Sequence, residues 1–361
     1  MSAEGISIII PNFNGEKLLK FPLISLANQT FPKNMYEVII VDNASTDNSL
    51  KVIEEIKSQY PNCEIKVIRL KKNFGYGRAI NVGVLNAKYN LILASNNDII
   101  FHPKYLENIY NTYRYAKKID ERVVAAQGLH MYFPEVSCIY NAGGILSLLT
   151  GHYRFCGICL TQDEFSKIME WADKGRLGFS YIAFPNGAGA LIEKEVFLKI
   201  GGYYRLYFSG VEEVDLGLLL HLLGYRVIFA PSAIFYHMVS RTLGGRSMYI
   251  PHKLYLILSG LSICALSFYE PKRLVSYFAI YMFVLFSFLL LSIIKQRKEL
   301  VWVIIKTIML NIKMKRAILY RRSRLMRIKK LNLYDIIIYL KGSRKYINIP
   351  KMIINVLFRY L

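Results

Sequence analysis

The sequence predicts an α/β fold, a mostly parallel sheet flanked by helices, followed by an apolar, basic helical region. Three observations carry this. Short apolar runs alternate with segments of helical periodicity over the first hundred residues. Asx-rich clusters follow three of those runs. Charge and hydropathy then change abruptly after residue 240.

The run at 5–10 (GISIII) is stopped by Pro11 and Asn12, as suits a central strand. Residues 16–28 read as a helix with Leu18, Leu19 and Leu23 on one face, and 36–41 (YEVIIV) as the second strand. Asp47 is placed to cap a helix over 48–60, where Leu50, Ile53 and Ile56 recur at helical spacing. A third strand at 64–70, a helix at 76–87 and a fourth strand at 89–94 continue the rhythm. Such βαβ units favour parallel strands with right-handed crossovers.

The stretch 125–185 gives less: turns at Asn141-Ala142-Gly143-Gly144 and Gly151, and a surface helix at 163–174. An apolar run follows Gly187-Ala188-Gly189, then a helix at 194–200 stopped by Gly201-Gly202. A helix at 212–223 ends at Gly224. The runs 225–230 and 233–236 lead to His237.

The chain has 361 residues, 47 Lys+Arg against 25 Asp+Glu, and a formal charge of +22. That is enough chain for one large or two ordinary domains. The charge is uneven. Residues 1–240 hold 24 basic and 22 acidic residues, and 241–361 hold 23 and 3. This divides the chain into a near-neutral globular domain (1–240) and a basic helical region (241–361). A nucleic acid or an anionic membrane could bind such a tail.

Its apolar content favours the membrane over nucleic acid. Residues 274–294 run for 21 positions without a charge, enough for about 30 Å of hydrocarbon. Residues 254–269 form a second, 16-residue uncharged stretch. Basic flanks on both sides favour a hairpin turning at Glu270-Pro271-Lys272-Arg273, with both ends cytoplasmic. A single span or an in-plane insertion is the alternative. Segments 300–312 and 347–361 alternate apolar with basic residues, as interfacial helices do. Arg316, Arg321, Arg322, Arg324, Arg327, Lys329 and Lys330 form a cluster suited to anionic lipid.

The opening residues show no secretory signal, so the globular part is expected in the cytoplasm, at a membrane. Five scattered cysteines fit reduced thiols. The Cys156-x-x-Cys159 spacing near His152 leaves zinc as a lesser alternative.

Asn12, Asp42 and Asp98 fall at the carboxyl ends of strands, where open α/β sheets bind ligands. Carboxylates and amides there suit a nucleoside diphosphate with a metal. The plainer reading makes them turn formers.

Seven stretches support the first reading: IIIPNFNG (8–15), VDNASTDNS (41–49), NFGYGRAINVGV (73–84), SNND (95–98), GAGALIEKEVFLKIGGY (187–203), EEVDLGLLLHLLGYRV (212–227) and His237. In this order, over about residues 5–240, they resemble the inverting nucleotide-sugar glycosyltransferases of family 2, which have the GT-A fold. The rhamnosyl- and galactofuranosyl-type subgroup is most similar.

The resemblance implies that Pro11, Asn12 and Asn14 line the base and ribose pocket. Asp42 would accept from the base, and Asn43 would help hold it. Arg78 would lie near the diphosphate. Asn96, Asn97 and Asp98 would occupy the place of the metal-binding DxD motif. A divalent cation, Mn²⁺ or Mg²⁺, would be held by Asp98 and His237. Glu213 would be general base, with Glu212 the second candidate and Asp215 structural. Gly187, Ala188 and Gly189 would let an acceptor sugar approach the backbone.

Three positions depart from the family pattern. Only the last DxD carboxylate remains, Glu213 stands where Asp is commoner, and Leu219 stands where an Arg often occurs. The implied activity is sugar transfer from a nucleotide-diphosphate sugar to a hydroxyl of a glycan or lipid-linked acceptor. A catalytically inactive, membrane-bound binding protein is the alternative. A sugar nucleotidyltransferase would need a Gly-rich basic loop after the first strand, and Pro11-Asn12-Phe13-Asn14 is not one.

Overall fold

A computed structural model describes residues 3–144, 158–238, 251–331, 347–349, 351 and 354. The first strands and helices follow the expected alternation: β1 (Ala3–Asn12), α1 (Lys20–Ala27), β2 (Tyr36–Asp42), α2 (Ser49–Gln59), β3 (Ile65–Arg69), α3 (Tyr76–Leu85) and β4 (Tyr89–Ala94). Then come β5 (Ile99–Phe101), α4 (Tyr105–Ile119), β6 (Val123–Tyr132), β7 (Cys138–Asn141) and β8 (Ile158–Cys159). After α5 (Gln162–Asp173) lie β9 (Ser180–Ile182), β10 (Ala190–Glu193), α6 (Lys194–Lys199), α7 (Glu212–Leu222) and β11 (Arg226–His237). Three long helices follow: α8 (Pro251–Phe268), α9 (Pro271–Ile294) and α10 (Lys298–Ile328).

One sheet runs β3-β2-β1-β4-β10-β6-β11-β5, with β7, β8 and β9 paired off this path. The first four strands are parallel, as the sequence predicts. Beyond them β10 enters antiparallel between β4 and β6, so the sheet is mixed. Alternate residues of β1 face opposite sides: Ile6, Ile8 and Ile10 join one apolar layer and Ile9 the other.

The two runs at 225–230 and 233–236 are one strand. Its register against β6 shifts between Ala230 and Ile234, around Pro231, which has no N–H for the ladder. The sequence reading assigns nothing to 105–119, although Tyr105, Leu106, Ile109, Tyr113 and Ala116 form the buried stripe of α4.

Two cysteine expectations change. The β7–β8 register sets Cys138 opposite Cys159, and they form a disulfide rather than reduced thiols. That bond removes Cys159 from any zinc site. Cys156 and His152 lie outside the described residues. Cys63 and Cys264 are free, buried thiols.

A third apolar core joins α7 to the helices beyond residue 250. Val214, Leu218, Leu219 and Leu222 of α7 pack with Leu254, Leu258 and Ile263 of α8 and with Leu300, Ile318 and Leu325 of α9's neighbour α10. Gly260 makes the closest approach: a Cβ there would lie 2.9 Å from Val211 Cγ2 and 3.1 Å from the Gly210 carbonyl. Both α8 and α9 are long and apolar enough to cross a membrane. They differ in surroundings, since the apolar window of α8 is 61% buried inside the protein and that of α9 only 17%.

The seating of α7 is testable at Gly217, where a Cβ would stand 2.1 Å from Phe184 Cβ and 2.6 Å from the Ala183 carbonyl. Gly217→Ala should therefore destabilise the chain by about 1–3 kcal/mol in urea unfolding. An unobstructed helical Gly→Ala would stabilise by up to about 1 kcal/mol. A gain in stability would contradict this packing.

Candidate active site

The ends of β1, β2 and β4 are tied together by side chains. Asn12 Nδ2 donates to Asp42 Oδ1 at 3.3 Å and to Ser45 Oγ at 3.1 Å, while its Oδ1 accepts from Asn97 Nδ2 at 2.9 Å. Asn12 is 1% exposed, and its amide braces three strand ends. A Cβ on Gly15 would fall 2.0 Å from Asn12 Oδ1, which explains a glycine there. Asp42 also receives the Ser45 backbone N–H at 3.2 Å and the Ser45 hydroxyl. Buried Pro11 carries the chain to Asn14, which is exposed, has φ 49° and accepts from Thr46 N–H at 2.8 Å. Asn43 accepts from the Phe74 N–H at 3.3 Å and so joins this edge to the loop before α3.

Asp98 and His237 meet at the neighbouring edge, with His237 Nε2 2.8 Å from Asp98 Oδ1 and Asn96 Nδ2 3.4 Å from the same nitrogen. Behind them His237 Nδ1 lies 2.9 Å from His130 Nε2. Burial, and then the neighbouring His237, hold His130 well below its ordinary value and therefore neutral. Its Nδ1 is buried without a partner among the described residues. The tautomer of His237 decides this edge: with Nε2–H it donates to Asp98, and with Nδ1–H on His130 its Nε2 lone pair beside the carboxylate would suit a bound cation.

The donor set fits a divalent ion taking one carboxylate and one imidazole, with diphosphate and water completing the shell. Among the described residues no group of three or more His, Cys, Asp or Glu is arranged to hold a metal ion by itself.

The acid pair opens α7. Val211, its N-cap, is left-handed at φ 77°, a strained backbone for a β-branched residue, and follows Gly210 at φ 85°. Glu212 is 4% exposed and its Oε2 has no hydrogen-bond partner among the described residues. Burial, with Glu213 next, pushes Glu212 well above the carboxylate range. Burial pushes Glu213 up to about 7. Two adjacent acids thus divide into one held neutral and one poised to titrate near neutrality.

Tyrosines near both clusters feel the acid pair electrostatically. Tyr140 is pushed up by burial, then Tyr132, then Glu213, and its ring lies 4.5 Å from that of His130. The His130 ring is in turn 4.8 Å from His237. On the other side Tyr76 is raised by burial, with Tyr203, Glu212 and Glu213 adding, and its hydroxyl donates to the Gly187 carbonyl.

The remaining expected residues divide. Gly187 lies beside Tyr76, and buried Ala188 is held by Asn186 Oδ1 at 2.9 Å. Gly189, at φ 77°, bonds the Ala94 carbonyl at 2.8 Å and receives the Tyr105 hydroxyl at 2.7 Å, so it packs the sheet instead of meeting an acceptor. Arg78 is exposed and donates to the Arg205 carbonyl at 3.1 and 3.2 Å, tying α3 to the loop before α7. Sequence reasoning missed Ser45, Tyr76, His130, Tyr140 and Arg321. Arg321 is the partner of Asp215: its guanidinium grips both carboxylate oxygens at 2.5 and 2.6 Å. That supplies, from α10, the pairing that Leu219 cannot make, and takes Arg321 out of the expected lipid-facing cluster.

Sheet and strand-end cluster together define an α/β domain of GT-A-like fold. Residues 7–129 match the family model described as Glycosyl transferase family 2. Over 106 residues the chain is 39% identical to the poly(ribitol-phosphate) beta-glucosyltransferase of Bacillus spizizenii, covering 29% of this chain and 17% of that protein. Over 124 residues it is 33% identical to a dolichyl N-acetyl-alpha-D-glucosaminyl phosphate 3-beta-D-2,3-diacetamido-2,3-dideoxy-beta-D-glucuronosyltransferase of Methanococcus voltae, covering 34% and 38%. The matches thus span well under half of those relatives.

GalNAc-T7, solved with UDP, GalNAc and Mn²⁺, shares the fold at TM-score 0.56 and 17% identity, over 75% of this chain and 49% of that one. The mannosyltransferase PcManGT of Pyrobaculum calidifontis, with GDP-Man and Mn²⁺, does so at 0.50 and 13%, over 95% and 85%.

The raised acids have a consequence for stability. A carboxyl whose folded pKa is raised favours folding while protonated, and that contribution is lost as pH rises through the folded pKa. The wild-type Tm should therefore fall as Glu212 and Glu213 ionise. Glu212→Gln should raise Tm more at about pH 8 than at about pH 5 in thermal scans. A pH-independent difference would contradict the assignment.

Proposed function

We propose that this chain transfers a sugar from a nucleoside-diphosphate sugar to a hydroxyl of a glycan or lipid-linked acceptor, with inversion, at a membrane face. The polar strand-end cluster of Asn12, Asp42 and Asn97, continued in the chain by Asp98 with its His237 and His130 partners, carries the reading. Glu213, raised by burial to about 7, supplies a titratable base.

In this reading the Asp42 and Asn43 edge orients the base and ribose. Asp98 and His237 would hold a divalent cation, which when bound would supply positive charge beside the diphosphate. The acceptor oxygen attacks the anomeric carbon opposite the leaving group. Its proton passes to Glu213, and the bonding pair leaves with the nucleoside diphosphate. Neutral Glu212 donates a hydrogen bond that aligns the acceptor. One base and one displacement invert the anomeric centre. The cations seen with the structural neighbours support Mn²⁺. Envelope-polymer and lipid-linked acceptors of the relatives support that acceptor class. Rhamnose and galactofuranose, implied by the sequence resemblance, join glucose and N-acetylglucosamine as the donors to screen.

The membrane surface is assigned to α9 and the first half of α10. Val275, Phe283 and Ile293 are 67–73% exposed on α9. Trp302, Ile305, Met309 and Ile312 make an exposed stripe at helical spacing on α10, interleaved with Lys306 and Lys313. Large exposed apolar patches beside basic residues suit a bilayer boundary. In this reading α8 is an internal layer and α9 the inserted helix, so the hairpin gives way to a single inserted element.

A donor screen by nucleotide release, followed by anomer assignment of the product, tests the chemistry. Glu213→Gln should lower kcat about 10²–10⁴-fold, and the wild-type acid limb should fall near the value of about 7 set by burial of Glu213. Binding of donor without turnover would favour the inactive-binder alternative. For the membrane, the wild type should stay in the pellet on alkaline extraction, and Phe283→Lys with Ile293→Lys should release it. Release of the wild type would refute insertion.

A further inference from the structure

Arg321 lies 106 residues from Asp215 in sequence, yet the pair is nearly closed to water, the side chains 12% and 3% exposed. Its guanidinium stacks 3.9 Å above the Tyr204 ring and 5.1 Å from the Phe268 ring. The Tyr207 hydroxyl donates to the same carboxylate at 2.7 Å. Nor is this the only hold of α10 on α7. The Lys330 and Leu331 N–H groups donate to the Leu222 carbonyl at 2.7 and 3.3 Å, covering the last turn of α7. Arg322 reaches the Leu266 carbonyl of α8 at 3.0 Å, and Gly260 of α8 presses on the strained Val211. The helix bearing Glu212 and Glu213 is therefore held at its cap, first turn and last turn by segments beyond residue 250.

We propose that Arg321 is the positioning residue of the active site, locking the catalytic helix α7 to the membrane-facing helices so that the base is aligned only when those helices are docked. This rests on the function proposed above. A bidentate guanidinium fixes both the rotation and the depth of the helix turn that carries Glu213. Lysine replaces the charge but not the fork. The groups facing this turn are Glu212, Glu213 and Asp215 on α7, Arg321 on α10, the buried Cys264 thiol on α8, Tyr204 and Tyr207 on the preceding loop, and Tyr76, Tyr140 and Tyr203 around it. Arg321 is the one cation among those groups.

The test uses the full chain in detergent or lipid vesicles, comparing wild type, Arg321→Lys, Arg321→Met and the exchanged pair Asp215→Arg with Arg321→Asp. Donor KM should stay within about twofold while kcat falls about 10²-fold in Arg321→Met, the scale of a misplacement of about 1 Å. Arg321→Lys should recover part of kcat. The acid limb should move to higher pH in Arg321→Met, because three carboxylates then share one turn with no cation, and return in Arg321→Lys. Hydrogen exchange at 212–222 should quicken in Arg321→Met. Unchanged exchange there, or unchanged kcat and acid limb in a folded Arg321→Met, would overturn the proposal. Should Arg321→Met fail to fold, Arg321→Lys with wild-type kcat and exchange would overturn it equally. No turnover by the wild type with any donor would sink the transferase reading instead, and the exchange data alone would then decide the anchoring.

Discussion

Three carboxylates occupy the first turn of one buried helix, and the rest of the molecule is organised around keeping them there. The amide dipoles at the start of α7 favour negative charge, but neighbouring ionised acids in a water-poor site repel. The structure separates their roles. Asp215 takes a guanidinium and a phenol and carries the fixed charge. Glu212, with an orphan oxygen, is kept neutral by burial and by Glu213. Glu213 is left between, held near neutrality by burial alone. A proton acceptor of middling strength results without any special chemistry in its own side chain.

The apolar C-terminal helices belong to that arrangement and are not an appended anchor. One apolar core contains side chains of α7, α8, α9 and α10 together. A left-handed Val211 persists because the surroundings fix it, with Gly260 of α8 close against its side chain. Hydropathy measures how apolar a helix is, not what it meets. For that reason α8 and α9 look alike as sequences and differ in the structure, one sandwiched between α7 and α10, the other facing outward.

Local signals in the sequence were readable where the physics is local. Continuous apolar runs and Asx stops mark β1, β2 and β4. Gly201-Gly202 and Gly224 stop α6 and α7 where expected, and the acid pair stands out at a helix start. Long-range pairings were not readable. Nothing near 190 signals that β10 runs antiparallel between β4 and β6. No local pattern could match Arg321 to Asp215, so its charge was assigned to lipid with its neighbours. Cys138 and Cys159 meet because β7 and β8 pair, a register invisible to spacing. The bracing done by Asn12 was not readable, since a strand-end amide reads the same whether it binds a ligand or ties the edge.

The candidate site has two halves with different supports. Asn12, Asp42, Asn43 and Asp98 stand on strand ends within 7–129, the stretch that matches the family model. Their geometry is set by backbone pairing of β1, β2 and β4. Glu212 and Glu213 lie beyond that stretch, on a helix whose position is set by side chains from α8 and α10. A nucleoside diphosphate poses much the same recognition problem whatever sugar it carries, so its half can be built from a recurring sheet edge. An acceptor differs from one enzyme to the next, and the part of the chain that aligns the base must differ with it. Under the proposed function, building that second half from the apolar helices would tie the acceptor's side of the reaction to the surface at which a lipid-linked glycan would arrive.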